Sequence, residues 1–83
     1  MLNLYDNQLV TLTDSIAALT ALETLYLYDN KLVTLPDSIA ELTALKTLYL
    51  YNNPLAKPQS SAVEAWLTAL RAGSCAVYMP PGW

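Results

Sequence analysis

The sequence has no histidine and only one cysteine, Cys75. A single thiol cannot form an intramolecular disulfide, and a zinc site needs several Cys or His ligands, so two usual supports of a small domain are excluded. A chain of 83 residues has only a modest core, and oligomerisation is the support that remains. Because secreted small domains tend to be rich in cysteine, the lone thiol favours a reducing compartment, and we expect a cytoplasmic protein.

Basic residues are also scarce, with four against seven acidic ones and a net charge of −3. No segment concentrates Lys or Arg, whereas nucleic acid binding begins with neutralisation of phosphates. Polar residues interrupt the apolar ones throughout, so no run approaches the roughly 20 residues of a membrane span, and a secretory signal is not recognisable. We therefore expect a soluble protein that binds neither nucleic acid nor a membrane.

Most of the sequence consists of internal repeats. Residues 1–23 match residues 24–46 at 17 of 23 positions, and a partial third copy occupies residues 47–56. Self-similarity at a period of this length is typical of a solenoid, in which each repeat buries its apolar side against the next. The sequence therefore predicts repeats over residues 1–56 (1–23, 24–46 and partial 47–56), followed by a C-terminal cap over residues 57–83.

The repeated segments carry a recognisable motif. From Leu22 the chain reads L-E-T-L-Y-L-Y-D-N-K-L, and from Leu45 it reads L-K-T-L-Y-L-Y-N-N-P-L. Both resemble the leucine-rich repeat signature L-x-x-L-x-L-x-x-N-x-L at every defined position. Over residues 1 to about 55, the chain is similar to the 23-residue class known from intracellular and bacterial scaffold proteins. The resemblance implies a module that binds another protein.

Local patterns predict the same architecture. Apolar residues alternate with polar ones or tyrosines at residues 2–5, 24–29 and 48–51, which indicates short strands with one buried face. Their long return segments require parallel pairing, and Ile39, Leu42 and Leu45 at three-residue spacing suit a 3₁₀ turn after Pro36. We therefore predict an α/β leucine-rich repeat solenoid with a parallel sheet on the concave face, short 3₁₀ or irregular turns on the convex face, and a C-terminal capping helix.

The predicted capping helix begins near Ser61, because Ser61 and Glu64 form a capping-box pattern, and Gly73 is placed to end it. Its apolar stripe consists of Val63, Trp66, Leu67 and Leu70. Residues 74–79 suggest an extended segment. We expect Trp83 to pack as part of the cap rather than to act as a binding motif, since terminal solenoid repeats are atypical for capping reasons.

Tyrosines are the one surface feature that suggests binding. Tyr5, Tyr28 and Tyr51 occupy equivalent positions, as do Tyr26 and Tyr49, so they should form two rows on the concave face. Such rows are suited to a protein interface, because tyrosine combines a large rigid ring with a polar tip. They also suit cross-strand stabilisation of the sheet or contact with a second copy, and the sequence leaves these alternatives open.

Other repeated polar residues have structural interpretations. Asn7, Asn30 and Asn53 recur at the strand exit, where an amide can satisfy backbone groups, and in leucine-rich repeats this asparagine ladder is structural. The pairs Asp14/Ser15 and Asp37/Ser38 lack a histidine or lysine at an equivalent position to activate the serine. We expect them to cap the helical turns, and we predict neither a catalytic residue, a cofactor nor a metal site.

The first repeat begins without a preceding cap, so Leu2, Leu4, Leu9 and Leu12 should present an apolar patch beside an open strand edge. We expect a homodimer in which residues 2–5 of two copies pair antiparallel about a two-fold axis. Two alternatives remain open. The chain is a fragment whose natural cap lies upstream, or its near-identical repeats mark an engineered, consensus-like unit with no physiological ligand.

Overall fold

The computed structural model of the protein describes residues 1–4 and 8–83. Four short strands form one parallel sheet in chain order: β1 (Leu2–Asn3), β2 (Thr24–Tyr26), β3 (Thr47–Tyr49) and β4 (Ala76–Tyr78). Two 3₁₀ helices, Asp14–Ala18 and Asp37–Glu41, lie between the first three strands, and helix α1 (Ser61–Ala72) lies between β3 and β4. The predicted parallel sheet is confirmed.

The sheet register follows the sequence repeat. Leu25 pairs with Leu2 on one side and with Leu48 on the other, and both partners are its equivalents in the neighbouring repeats. The regular strands are shorter than the predicted residues 24–29 and 48–51. Backbone bonds between repeats continue beyond them, from the Leu27 and Asp29 amides to the carbonyls of Tyr49 and Tyr51, and the backbone turns left-handed at Asp29 (φ 59°) and Asn52 (φ 63°). For the predicted strand at residues 2–5, Tyr5 lies outside the described residues.

The core lies between the sheet and the 3₁₀ helices. Its fully buried side chains are Leu25, Leu27, Leu32, Ile39, Leu42, Leu48, Leu50 and Val63. The leucines that alternate along each strand point inward because successive strand residues face opposite sides of a sheet. The residues at three-residue spacing after Pro36 complete this core from the second 3₁₀ helix and the segment after it.

Helix α1 packs against the second 3₁₀ helix and β4. Its stripe of Val63, Trp66, Leu67 and Leu70 is buried as predicted, and the Trp66 indole Nε1 donates a hydrogen bond to the carbonyl of Leu42 at 3.0 Å. The predicted capping box is wrong by one residue. Ser60 is the N-cap, and its Oγ accepts from the Val63 amide at 3.3 Å, because Ser60 is extended while Ser61 already lies in the helix.

Gly73 is the C-cap of helix α1, but the left-handed residue that turns the chain is Ser74, with φ 73°. The Cys75 amide then donates to the carbonyl of Leu70 at 3.0 Å, which is the longer bond of a Schellman motif. This turn returns the chain to the sheet. The segment after this turn, which the sequence predicted only to be extended, contains β4. β4 pairs with β3, with Val77 opposite Leu48.

The C-terminal residues pack back onto the molecule. Trp83 is partly buried against the core, and its amide donates to the carbonyl of Pro80. Lys57 donates to the carbonyl of Gly82, and its ammonium nitrogen lies 5.4 Å from the centre of the Trp83 ring. The contact of Trp83 with the core agrees with the packing role expected for it.

Candidate functional site

The most distinctive surface is the sheet face that carries Tyr26, Tyr28, Tyr49, Tyr51 and Tyr78, which we call the tyrosine face. Each side chain follows or precedes a buried leucine or the half-buried Val77, so the strand alternation places all five rings on one side. The structure thus brings together four of the five tyrosines named from the sequence. The fifth, Tyr5, lies outside the described residues.

Tyr78 belongs to this surface but was missed by the sequence reasoning. Its strand, Ala76–Tyr78, repeats the order small residue, apolar residue, tyrosine that β2 and β3 show as Thr-Leu-Tyr. That similarity was the available signal. The signal was hard to detect because Val77, which pairs with Leu48, lies further along the chain than one 23-residue repeat.

The rings form two columns that run across the strands. Tyr26, Tyr49 and Tyr78 stack with centroid distances of 4.8 and 4.7 Å, and Tyr28 stacks on Tyr51 at 4.8 Å. Between columns, the rings meet edge to face at 6.0 to 6.3 Å. Both arrangements are favourable for aromatic pairs. Because neighbouring rings cover the faces inside each column, the surface offers mainly ring edges and hydroxyl groups.

The described tyrosine face is uncharged. Apart from the tyrosines, the outward positions of the four strands hold Asn3, Thr24, Thr47 and Ala76. An exposed charged pair lies at the start of the strands, where Lys46 Nζ lies 3.7 Å from Glu23 Oε2. Such an exposed pair contributes about 0 to 1 kcal/mol to stability. The strand positions of the face itself carry neutral groups.

The central ring of the longer column is electrostatically distinct. Desolvation, followed by the repulsion that the neighbouring Tyr26, Tyr78 and Tyr51 phenolates would exert, raises the pKa of Tyr49 above 10.0. Both effects penalise the charged form. The Tyr49 hydroxyl therefore stays protonated at neutral pH and remains able both to donate and to accept a hydrogen bond.

The repeated asparagines bond to the backbone of neighbouring repeats. Asn53 Nδ2 donates to the carbonyls of Leu27 and Leu50 at 3.0 and 2.8 Å, while its Oδ1 accepts from the Leu32 amide at 3.1 Å. Asn30 makes the corresponding bonds one repeat earlier. Asn7 lies outside the described residues. These bonds hold the turn after each strand and leave the two amides with no need of a ligand.

Gln59 makes an equivalent set of bonds and was not singled out from the sequence. Its Oε1 accepts from the Leu35 amide at 3.0 Å, and its Nε2 donates to the carbonyls of Val33 and Ala56. Gln59 is buried. Gln59 thus joins the start of the C-terminal region to the last repeats. It is a glutamine, and its position does not continue the 23-residue spacing of Asn30 and Asn53, so the repeat pattern could not reveal it.

The aspartate and serine pairs do not cap the 3₁₀ helices as expected. Neither helix has a side-chain N-cap bond. Instead, Ser38 Oγ donates to Asp14 Oδ1 at 2.9 Å, and Ser60 Oγ donates to Asp37 Oδ1. The stacking of repeats brings each aspartate beside the serine of the next unit, and this tertiary contact replaces the local one. These bonds are exposed links between repeats.

The leucines proposed for self-association, Leu2, Leu4, Leu9 and Leu12, form what we call the N-terminal flank. All four are partly buried, whereas their repeat equivalents Leu25, Leu27, Leu32 and Leu35 are buried. An open groove of about 330 Å³ lies among Leu2, Leu4, Leu12, Ile16 and Leu19, with Thr13 and Ser15 at its side. The flank therefore presents apolar surface of the kind that the preceding repeat covers elsewhere in the sheet.

Reactive groups are few in the described part of the chain. Burial raises the pKa of the Cys75 thiol above its usual value, so the nucleophilic thiolate is disfavoured. Among residues 1–4 and 8–83, no group of three or more Cys, Asp and Glu side chains is arranged to hold a metal ion. Within the same ranges, no helix has both the length and the apolar character needed to cross a membrane.

The repeats match a known protein family. A family model described as leucine rich repeat matches residues 1–55, which is about two thirds of the 83-residue chain. The matched segment contains β1 to β3, both 3₁₀ helices and four of the five rings of the tyrosine face. A search of curated proteins found no similar sequence.

Proposed function

The chain belongs to the leucine-rich repeat family, and from this membership we propose that it is a non-enzymatic module that binds a protein partner through the tyrosine face. Domains of this family generally mediate protein–protein interaction. The finer proposal is the binding face. Its partner is a protein whose contacting groups are uncharged, since the described face presents ring edges, hydroxyls, threonines and an asparagine.

One observation carries this proposal: five tyrosine rings form a continuous surface in two interlocked columns. Interfaces are enriched in tyrosine because a rigid ring can be buried at low entropic cost while its hydroxyl still bonds. Stabilisation of the sheet alone would be worth about 0.2 to 1 kcal/mol per ring pair. Stabilisation of the sheet does not require the tyrosine hydroxyls to remain accessible to solvent, yet Tyr51 and Tyr78 are 39% and 48% exposed.

In the architecture that we propose, the tyrosine face is the concave side of a short solenoid of the 23-residue class. The 3₁₀ helices lie on the convex side, and residues 57–83 form a cap after repeats at residues 1–56. The burial of the α1 stripe and the bond from Trp66 to Leu42 support the capping role. A cytoplasmic location is part of the same proposal and is supported by the single, buried cysteine.

The experiment replaces Tyr28 and Tyr49 together by serine, with the double phenylalanine variant as the matched control. Serine removes both rings from the middle of the surface, while phenylalanine keeps the stacking and removes only the hydroxyls. We expect the serine variant to bind a partner isolated with the wild type about tenfold or more weakly, as for hot-spot residues. Far-ultraviolet circular dichroism checks that the fold is retained. Equal binding by all three proteins would move the site away from this face.

A second candidate function, self-association, is favoured by the N-terminal flank. The leucine flanks of two copies could meet, whereas at the other end of the repeats α1 packs over the second 3₁₀ helix. The contact would then be isologous, with two β1 strands antiparallel. The molecule measures 26 × 23 × 20 Å, so one end covers less than the roughly 800 Å² per partner of a standard interface, and we expect a weak dimer.

Light scattering on the wild type and on Leu4→Lys tests the dimer. Loss of the dimer in Leu4→Lys would support the flank, and a dimer that survives this change would place the contact elsewhere. A wild type that is monomeric at every soluble concentration would exclude self-association. If neither a partner nor a dimer is found, the remaining interpretation is a consensus-like, engineered or truncated repeat unit without a physiological ligand.

A further inference from the structure

The tyrosine face ends at an open strand edge. Among the described strands, β4 is the last of the sheet and pairs with β3 alone. The Ala76 amide donates to the carbonyl of Lys46 at 3.0 Å, and the Tyr78 carbonyl accepts from the Leu50 amide at 2.7 Å. Because backbone groups alternate sides along a strand, the N–H and C=O of Val77 point away from β3. Such an edge can pair with a further strand.

The tyrosine column is open at the same edge. Tyr78 stacks on Tyr49 at 4.7 Å with an interplanar angle of 6°, and the described residues after β4 form no further strand to cover its other face. Its exposure of 48% is the highest among the described tyrosines, whereas Tyr26 and Tyr49 are only partly exposed. A new strand on β4 would therefore bring its outward side chain next to an uncovered ring.

We propose that β4 binds an extended segment of a partner protein as a fifth strand, with an aromatic side chain of that segment stacked on Tyr78. This inference rests on the proposed function, because it names the kind of partner that the tyrosine face takes. The segment follows the order found in β2, β3 and β4, namely a small residue, an apolar residue and an aromatic one. It runs parallel, as do all strand pairs of the described sheet.

Other occupants fit this edge less well. Sugars and nucleobases bind aromatic faces, but neighbouring rings cover the faces inside both columns, so at this edge the outer face of Tyr78 alone is left for them to stack on. A second copy could offer β1, yet the register places Asn3 at the position of Tyr26. That strand would bring an amide rather than a ring to Tyr78. Strand addition with a matching side chain is a known mode of peptide recognition.

The test uses the capped peptide Glu-Thr-Leu-Tyr-Leu-Tyr-Asp, which copies residues 23–29 of this chain, titrated into the full ¹⁵N-labelled protein. The control peptide has serine for both tyrosines and the same charge. We expect the Val77 amide and its strand neighbours to shift with the first peptide, and binding to be about tenfold weaker with the control. The Tyr78→Ser protein should lose affinity to a similar extent.

Backbone pairing is tested separately from stacking. Val77→Pro removes the outward donor while keeping the inward bonds of Ala76 and Tyr78, and proline is tolerated at such edge positions. In case this variant folds poorly, two peptides N-methylated on alternate residues are titrated into the wild type. An added strand uses one of its own edges, so only one of the two peptides should lose binding.

Each result decides the inference. Loss of binding on Val77→Pro and with only one methylated peptide supports strand addition. Shifts confined to β2 and the Tyr28 region would overturn it while leaving the tyrosine face as a binding surface. Absence of any shift would also overturn it, and the Tyr28 and Tyr49 serine variants test the proposed function independently. Val77 shifts that depend on protein concentration without peptide would overturn it too, because they would identify a second copy as the occupant.

Discussion

Replacement of Asn53 by alanine should be among the most destabilising single changes in this chain. The side chain bonds the carbonyls of Leu27 and Leu50 and the amide of Leu32, and it is buried. Alanine leaves all three backbone groups without this partner. Each buried, unsatisfied group costs about 1 to 3 kcal/mol, so a loss of at least about 3 kcal/mol is expected. A domain of 83 residues has about 4 to 12 kcal/mol in total.

The assay is urea unfolding followed by far-ultraviolet circular dichroism, with the free energy of unfolding extrapolated to water. Asn52→Gly is the matched control, because it removes only an exposed bond between repeats, from Asn52 to Asp29, at a left-handed position (φ 63°) that glycine adopts freely. We expect this control to change stability by less than about 1 kcal/mol. A similar small change for Asn53→Ala would refute the idea that the asparagine holds adjacent repeats together.

Three further changes test the core, the tyrosine column and the end of α1. Leu27→Ala should lower the free energy of unfolding by about 2 to 5 kcal/mol because the side chain is fully buried, and the partly buried Leu4→Ala by less; equal losses in urea would contradict the core assignment. Folding raises the pKa of Tyr49 above 10.0. The stability that the protonated Tyr49 hydroxyl contributes is therefore fully present below pH 10.0 and is lost as the pH rises through the pKa of the folded state. Tyr49→Phe should therefore reduce the alkaline loss of stability in thermal melts, and an unchanged loss would argue against it. Ser74→Gly relieves a left-handed residue (φ 73°) and should raise stability by up to about 1 kcal/mol, whereas a decrease would show that the serine side chain contributes there.

Much of the architecture was predictable because each repeat specifies its own part of it. Leu25 and Leu48 hold the same phase in successive copies, so the register between β2 and β3 follows from burying both leucines on one side. The return segment is too long for a hairpin, which requires parallel strands. The same phase explains why Tyr26 and Tyr49, which stack in the structure, are predicted by the sequence to share a face.

Predictions failed where two local patterns compete or where the partner lies in another unit. Ser60 and Ser61 can each cap a helix by sequence, and it is the extended backbone of Ser60 in the folded chain that makes it the N-cap. Asp37 resembles a cap locally, yet in the fold it accepts a bond from Ser60. The partners in this bond are 23 residues apart in the chain, so the residues around Asp37 give no sign of it.

The sequence by itself determined the repeating unit, the buried leucines, the parallel direction of the strands and the side on which the tyrosines lie, because these depend on periodicity within a short stretch of chain. Only the tertiary structure decided that β4 joins the sheet. The pairing of Leu48 with Val77 breaks the period of the repeats, and it depends on how α1 packs and on the turn at Ser74. The same packing adds Tyr78 to the column of Tyr26 and Tyr49. It also leaves the outer face of Tyr78 and the outer edge of β4 open side by side, because both belong to the last strand of the described sheet.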